Sequence, residues 1–195
     1  ARAKVFEGFT EAQAEELLNS WSFWARENQT EPKGKWTTWL ILAGRGWGKT
    51  RCGSEWVLQR VRQGYKRIAL IGETAADVRD VMIEGESGIL SCCGTSELPL
   101  YEPSKRRITW PNGAMAFAYS GDKPDMLRGP QHDSIWADEP AKWRYGEEAW
   151  SNMEFGLRLG EMPRVVATTT PRPIPLIKRL AYDPKTHVTK GNTYE

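Results

Sequence analysis

Residues 39–50, Trp39-Leu40-Ile41-Leu42-Ala43-Gly44-Arg45-Gly46-Trp47-Gly48-Lys49-Thr50, read as a strand, a glycine-rich turn and the start of a helix. The apolar run Trp39–Leu42 has the length of a buried parallel strand. Past Arg51 the apolar positions Cys52, Trp56, Val57 and Val61 shift to a helical period. Strand, glycine loop and helix in that order are the context a phosphate-binding P-loop requires. Glycines let backbone N–H groups close around an anion, and the helix N-terminus adds the positive end of its dipole. On that reading Gly44, Arg45, Gly46, Trp47, Gly48 and Arg51 surround the nucleotide. Lys49 reaches its β- and γ-phosphates, and the Thr50 hydroxyl holds Mg²⁺. The pattern G-x-x-x-x-G-K-[ST] is met except at its first glycine, where Ala43 stands. A ligand-free glycine turn is the alternative; Gly-Lys-Thr directly after a buried strand favours a nucleotide site.

Length and composition bound the rest. A chain of 195 residues suits one α/β domain that buries roughly 70% of its unfolded surface. A net charge of +2 neither demands nor excludes nucleic acid, because a local patch can bind while the total stays near neutral. Cys52, Cys92 and Cys93 are odd in number and two are adjacent, so no disulfide framework or zinc site is legible, and a reducing compartment is expected. With no signal peptide and no apolar run approaching ~18 residues, the expectation is a soluble intracellular protein with no membrane partner.

Upstream of the first strand, residues 1–35 read as a helical lead-in. Thr10 and Gln13 have capping-box spacing, and Ala14, Leu17, Leu18, Trp21 and Trp24 recur at helical intervals. An amphipathic helix packed on the sheet edge accounts for most of them. Gln29 has a second reading, in which its amide reads an adenine edge while the Trp24 ring stacks nearby.

Downstream, Arg67–Gly72 reads as a second buried strand, and Thr74 caps a helix through Val78, Val81, Met82 and Ile83. Residues 84–103 look irregular. Arg107–Trp110 and Ala114–Tyr119 flank Pro111-Asn112-Gly113, a hairpin signal, so an antiparallel pair is added to a parallel plan. The basic run Ser104–Arg107 is either a solvated rim or a phosphate-backbone contact. A helix carrying Trp150, Met153, Phe155 and Leu157, a buried strand Arg164–Thr168, a helix Leu176–Tyr182 and a strand Thr186–Thr193 complete the plan.

The second chemical stretch is Ser134-Ile135-Trp136-Ala137-Asp138-Glu139, a short apolar strand ending in two carboxylates. That is the Walker B arrangement: Asp138 orients the metal, and Glu139 takes a proton from the attacking water. Paired carboxylates at a strand end also serve as helix caps, but a P-loop earlier in the chain favours catalysis. The adjacent Glu marks a hydrolytic, motor-type ATPase, and no Asn-Lys-x-Asp string of a GTPase occurs. Arg128, between turn residues in Leu127-Arg128-Gly129-Pro130, is an arginine-finger candidate or a surface ion pair. Thr168-Thr169-Thr170 ends a strand expected beside the Walker B strand, where hydroxyls can sense a γ-phosphate; plain β-propensity of Thr is the alternative.

Trp24–Gln29 (WARENQ), Trp39–Val57, Leu127–Ala141 (LRGPQHDSIWADEPA) and Ala167–Pro173 (ATTTPRP) together resemble the large terminase subunit of tailed double-stranded DNA bacteriophages, the genome-packaging motor. The resemblance covers residues from about 20 to the end. It implies an ASCE-type P-loop NTPase fold, α/β, with a central mostly parallel sheet flanked by helices and antiparallel strands added at one edge. It implies phosphate and Mg²⁺ binding by Lys49 and Thr50, metal support by Asp138, and Glu139 as base. Gln29 becomes the adenine reader, Thr168–Thr170 the coupling motif, and Arg45 and Arg128 both finger candidates, Arg128 reaching a neighbouring subunit.

The partners implied are double-stranded DNA, a portal protein, the small terminase subunit and further copies in a ring, expected to be a pentamer. The implied place is the host cytoplasm, on the capsid precursor during packaging. The family's nuclease domain finds no room after Thr193, so residues 1–195 are expected to be the ATPase domain alone. Two rivals share the Walker motifs: a helicase-like remodelling ATPase, and an assembly module that binds nucleotide without turnover.

Overall fold

The computed structural model describes residues 8–10, 13, 17 and 20–192. In the lead-in, the expected capping box is formed: Gln13 N–H donates to Thr10 Oγ1 at 3.3 Å and Thr10 N–H to Gln13 Oε1 at 3.0 Å. Ala14, Leu18 and Thr193 lie outside the described residues.

The apolar run around Trp39 forms β1 (Thr38–Ala43), and the chain turns through the glycine loop into α1 (Lys49–Arg62). There follow β2 (Arg67–Gly72), β3 (Leu100–Glu102), β4 (Arg107–Thr109), β5 (Met115–Ser120) and β6 (Ser134–Asp138). Then come α2 (Gly146–Gly156), β7 (Arg164–Thr169), α3 (Pro175–Tyr182) and β8 (Thr186–Gly191). Among the described residues these strands make one sheet in the order β3-β4-β5-β2-β6-β7-β1-β8. Within it only β4 pairs antiparallel, with β3 and with β5; every other pairing is parallel. β7 lies between the P-loop strand β1 and the Walker B strand β6, which is the ASCE arrangement.

Three expectations change. Residues 84–103 are not wholly irregular: they hold a helical turn, Ile89–Cys92, and β3. β3 is three residues long with Leu100 65% exposed, so no alternating pattern announced it. Thr74 caps its helix as expected, accepting from Asp77 N–H, yet α-geometry ends at Asp77 and residues Val78–Ile83 are π-helical. The wider turn places Val78, Met82 and Ile83 in the core and leaves Val81 out. Finally, Phe155 is 79% exposed on the outer face of α2, whereas Trp150 and Met153 are buried.

The sheet has a core on each face, because strand side chains alternate and helices cover both sides. Trp39, Ile41, Trp136 and Val166 pack under α1 with Cys52, Trp56 and Val57. Leu40, Ile135, Val165 and Ala167 pack on the other face with Trp150, Met153, Leu176 and Leu180 from α2 and α3. Each fully buried Leu, Ile or Val in these layers contributes roughly 1.5–3 kcal/mol against solvent exposure. Parallel pairing then puts the carboxyl ends of β1, β2, β6 and β7 along one edge, where open α/β sheets bind ligands.

Candidate nucleotide site

At that edge one open cavity of about 770 Å³ is lined by Gly44, Arg45, Gly46, Gly48, Lys49, Thr50, Arg51, Asp138, Glu139 and Thr170. The glycine loop reaches it through left-handed turns at Gly46 (φ 80°) and Gly48 (φ 96°), which a side chain would oppose. Gly48 has a second constraint, since a Cβ there would sit 2.9 Å from Gln29 Nε2. Lys49 Nζ donates to the loop carbonyls of Ala43 at 3.0 Å and Gly44 at 3.1 Å, and stands 3.7 Å from Glu139 Oε1.

The loop is braced from behind. Trp47 turns into the core, 2% exposed, and packs on β8 where Gly191 leaves room; a Cβ at Gly191 would come within 2.0 Å of Trp47 Nε1. The Trp47 carbonyl accepts from Gln29 Nε2 and from Arg26 Nη2, both at 2.8 Å, and the Arg26 guanidinium lies 5.1 Å from the indole centroid. So Trp47 does not line the cavity with its side chain. Gln29 is 6% exposed, with its Oε1 accepting from Arg26 N–H at 3.0 Å, and neither it nor Trp24 lines the cavity. The adenine reading of Gln29 therefore meets a competing use of the same amide. Arg26 was legible only as part of a motif, because its role is a contact to a loop carbonyl distant in sequence.

Across from the loop, the ends of β6 and β7 form one hydrogen-bonded unit. Asp138 and Thr168 are paired in register, and Thr168 Oγ1 donates to Asp138 Oδ1 at 2.7 Å. Burial pushes the Asp138 carboxyl up to about 6; the Thr168 bond opposes this, the Glu139 charge adds to it, and Lys49 and Lys142 oppose it. Glu139 takes the left-handed conformation (φ 49°, ψ 47°) just before Pro140, an uncommon geometry for a non-glycine residue. Its N–H donates to Thr168 O at 2.7 Å. Its carboxylate accepts from Thr170 Oγ1 at 3.0 Å, Thr170 N–H at 3.2 Å and Thr169 Oγ1 at 3.3 Å. The strained backbone and three donors aim one carboxylate at the cavity beside Lys49.

The donors suit a small hard cation. Thr50 and Asp138, both bearing oxygen donors, line one cavity, and among the described residues no group of three or more His, Cys, Asp and Glu could hold a metal alone. Mg²⁺ is held in this way, by one or two protein oxygens completed by phosphates and water. The cavity is also lined by four acidic residues that sequence reasoning left unassigned, Glu73, Asp77, Asp80 and Glu86.

The two arginine candidates separate. Arg45 is exposed on the loop and lines the cavity. Arg128 does not: its side chain is 63% exposed and faces Glu148 at 3.3 Å, Asn152 Oδ1 at 3.4 Å and Asp125 at 3.7 Å. Arg51 lines the cavity but is held by Glu55, Nε to Oε1 at 2.8 Å.

A family model for the N-terminal part of terminase large subunits of the T4-like-virus type matches residues 40–181. No curated protein matches in sequence. Among solved structures, the ATPase domain of the large terminase of Thermus phage P74-26 is 12% identical with a TM-score of 0.62, over 88% of this chain and 85% of that one. The large terminase of a second thermophilic bacteriophage, in complex with ADP, is 14% identical with a TM-score of 0.62. That match covers 94% of this chain and 45% of the other, so this chain spans under half the length of that relative. The N-terminal domain of the DNA packaging ATPase from bacteriophage phi29 is 13% identical with a TM-score of 0.58, over 80% of this chain and 90% of that one. At such identities the structural likeness carries the fold alone. The family match takes in both the Gly-Lys-Thr turn and the Asp138–Glu139 strand end, and by it this chain belongs to the terminase large subunits, in their N-terminal part.

Proposed function

We propose that this chain hydrolyses ATP in a Mg²⁺-dependent reaction and, within a large terminase, uses it to drive double-stranded DNA into a preformed capsid. One observation carries the chemistry: Lys49, Thr50, Asp138 and Glu139 converge on a single cavity, with Lys49 Nζ and Glu139 Oε1 3.7 Å apart. ATP enters with its phosphates on the loop N–H groups, and Lys49 exchanges the Ala43 and Gly44 carbonyls for phosphate oxygens. Thr50 and Asp138 would hold Mg²⁺, which would supply charge neutralisation at the transferring group. Glu139, fixed by Thr169 and Thr170, orients a water in line with the γ-phosphorus and accepts its proton. Gln29 and Arg26 brace the loop from behind; for Gln29 to read adenine, its Nε2 must first leave the Trp47 carbonyl.

Arg45 completes the site within its own chain, while Arg128, outside its own cavity, serves a neighbour's. Of the acidic residues on the cavity, Glu73 and Glu86 suit such a basic visitor, Asp80 being paired with Arg79 and Asp77 capping at Thr74. The assembled form is then a ring of copies, expected to be a pentamer, on a portal with the small terminase subunit, gripping DNA through its phosphates. Supporting this, the large terminase of the second thermophilic phage is known with ADP and with ATP-γ-S, and the phi29 relative in a viral genome packaging motor assembly.

The test is phosphate release from Mg·ATP by the wild type and Glu139→Gln, with ADP affinity measured beside it. Turnover should fall roughly 10²–10⁴-fold while ADP binding stays. Equal turnover in the variant would remove Glu139 as the base. ADP binding without any wild-type turnover would favour the assembly module.

A further inference from the structure

Trp136 is left unused by the chemistry above, yet it touches three parts of the site. It stands two residues before Asp138 on β6 and has no exposed surface. Its ring fills the space over Gly53 in the middle of α1: a Cβ there would come within 2.1 Å of Cε2 and 2.4 Å of Cζ2 and Nε1. Its indole N–H donates to Thr168 Oγ1 at 2.8 Å, and that hydroxyl donates to Asp138 Oδ1 at 2.7 Å.

The polarity of this chain of bonds follows from the donors. An indole N–H can only donate, so Thr168 Oγ1 must accept from it. The hydroxyl has one proton left to give, with Ala137 O at 3.5 Å as the poorer acceptor. The shorter, charge-assisted bond to Asp138 wins. A glycine in mid-helix costs about 1 kcal/mol relative to Ala, and here it is what lets the ring lie against α1.

We propose that Trp136 is a positioning residue: wedged on Gly53 and donating to Thr168, it fixes the Asp138 carboxylate relative to the Lys49–Thr50 turn for a magnesium–nucleotide complex. The proposal rests on the nucleotide reading above, but not on turnover. A rigid link is needed because β6 and α1 are separate elements whose spacing sets the distance from Asp138 to Thr50. A fully buried aromatic ring seated on Gly53 transmits that spacing, since packed interiors yield little.

The experiment is ADP affinity with and without Mg²⁺, alongside thermal melting, for wild type, Trp136→Phe, Thr168→Val and Thr168→Ser. Wild type should bind ADP more tightly with Mg²⁺. Trp136→Phe and Thr168→Val should each lose about tenfold of that gain, the scale expected for partners behind a metal-site ligand, with Mg²⁺-free affinity within about twofold. Thr168→Ser, which keeps the hydroxyl, should retain the gain. The double variant should do no worse than Thr168→Val, because both act along one path. A Trp136→Phe protein that melts lower but keeps the full Mg²⁺ gain would overturn the proposal and leave Trp136 a packing residue. If Mg²⁺ brings wild type no gain, the site reading falls and this one with it. A wild type that binds Mg·ADP but releases no phosphate refutes hydrolysis, while the comparison still decides the role of Trp136.

Discussion

Asp138 is the site residue whose ionisation the fold resists, and the cost can be worked out. Its carboxyl is raised from 3.8 to about 6, chiefly by burial at the end of β6. A displacement of about two pH units at 1.36 kcal/mol each amounts to about 3 kcal/mol, and water in the open cavity reduces this to about 2. The sign follows from the two states. Below pH 3.8 the group is protonated folded and unfolded, and costs nothing. Between 3.8 and about 6 the folded chain holds its proton longer, so stability falls as pH rises; above about 6 the whole penalty stands. Asp138→Asn removes the charge and keeps an oxygen that can accept from Thr168. At about pH 7.5 in a chelator the variant should therefore be more stable by about 2 kcal/mol, raising Tm by roughly 4–8 °C for a chain of this length. The gap should close toward about pH 4. Saturating Mg·ADP should narrow or reverse it, because ligand at ~100 times its Kd adds about 2.7 kcal/mol to whichever form binds it. ATP turnover should be lost throughout. Melting curves from about pH 4 to 8, with and without Mg·ADP, read all of this. A variant less stable than wild type at the alkaline end, or a gap that ignores pH, would show that burying the Asp138 charge does not cost the fold stability.

Gly53→Ala should destabilise by about 1–3 kcal/mol despite a helix-propensity gain of about 1, because the new methyl meets Trp136; Gly94→Ala, with nothing within 4 Å, is the control and should stay within about 0.5 kcal/mol. Thermal melts of the pair decide it. Thr170→Val removes the 3.0 Å donor to Glu139 and should lower kcat by roughly tenfold to a hundredfold, leaving ADP affinity unchanged; unchanged kcat would show that the Thr170 N–H and the Thr169 hydroxyl suffice to hold Glu139. Arg128→Ala should barely move Tm, its ion pairs being exposed, yet abolish the rise of turnover per chain with protein concentration. A flat wild-type profile would instead give the finger to Arg45.

The strand–loop–helix reading of residues 39–62 and the strand ending in Asp138–Glu139 were legible because each is local: an apolar run, a turn that needs glycine, and a change of period. The P-loop and Walker B residues meet in space because parallel strands end at one edge, a consequence of topology that follows once the strands are found. What stayed hidden is what depends on contacts across the sheet. β3 is short and exposed. The π-turn of Val78–Ile83 has no sequence period of its own, and its effect is seen only in which residues are buried. Trp47 sits inside a binding motif but belongs to the core, because Gly191, far along the chain, leaves a slot for it. Gly53 did carry a signal: a glycine inside an otherwise helical period asks what approaches it, and the answer is Trp136.

β7 explains why three threonines in a row stand where they do. In register with Asp138, Thr168 donates to the Asp138 carboxylate; one and two residues on, Thr169 and Thr170 donate to that of Glu139. The same strand pairs with β1, Leu42 beside Thr169, so it also abuts the strand that feeds the glycine loop. Thus one strand end holds both carboxylates and borders the phosphate loop, and it continues through Pro171-Arg172-Pro173 to α3. Prolines lack the N–H for further ladder bonds and fix φ, so this segment is stiff and not part of the sheet. On the proposed reading, a change in what Glu139 grips on loss of the γ-phosphate alters the bonds to Thr169 and Thr170, and the stiff segment carries that change to α3. Replacing the hydroxyls one at a time separates the two carboxylates: Thr168 should govern the Mg²⁺ response, and Thr170 the rate.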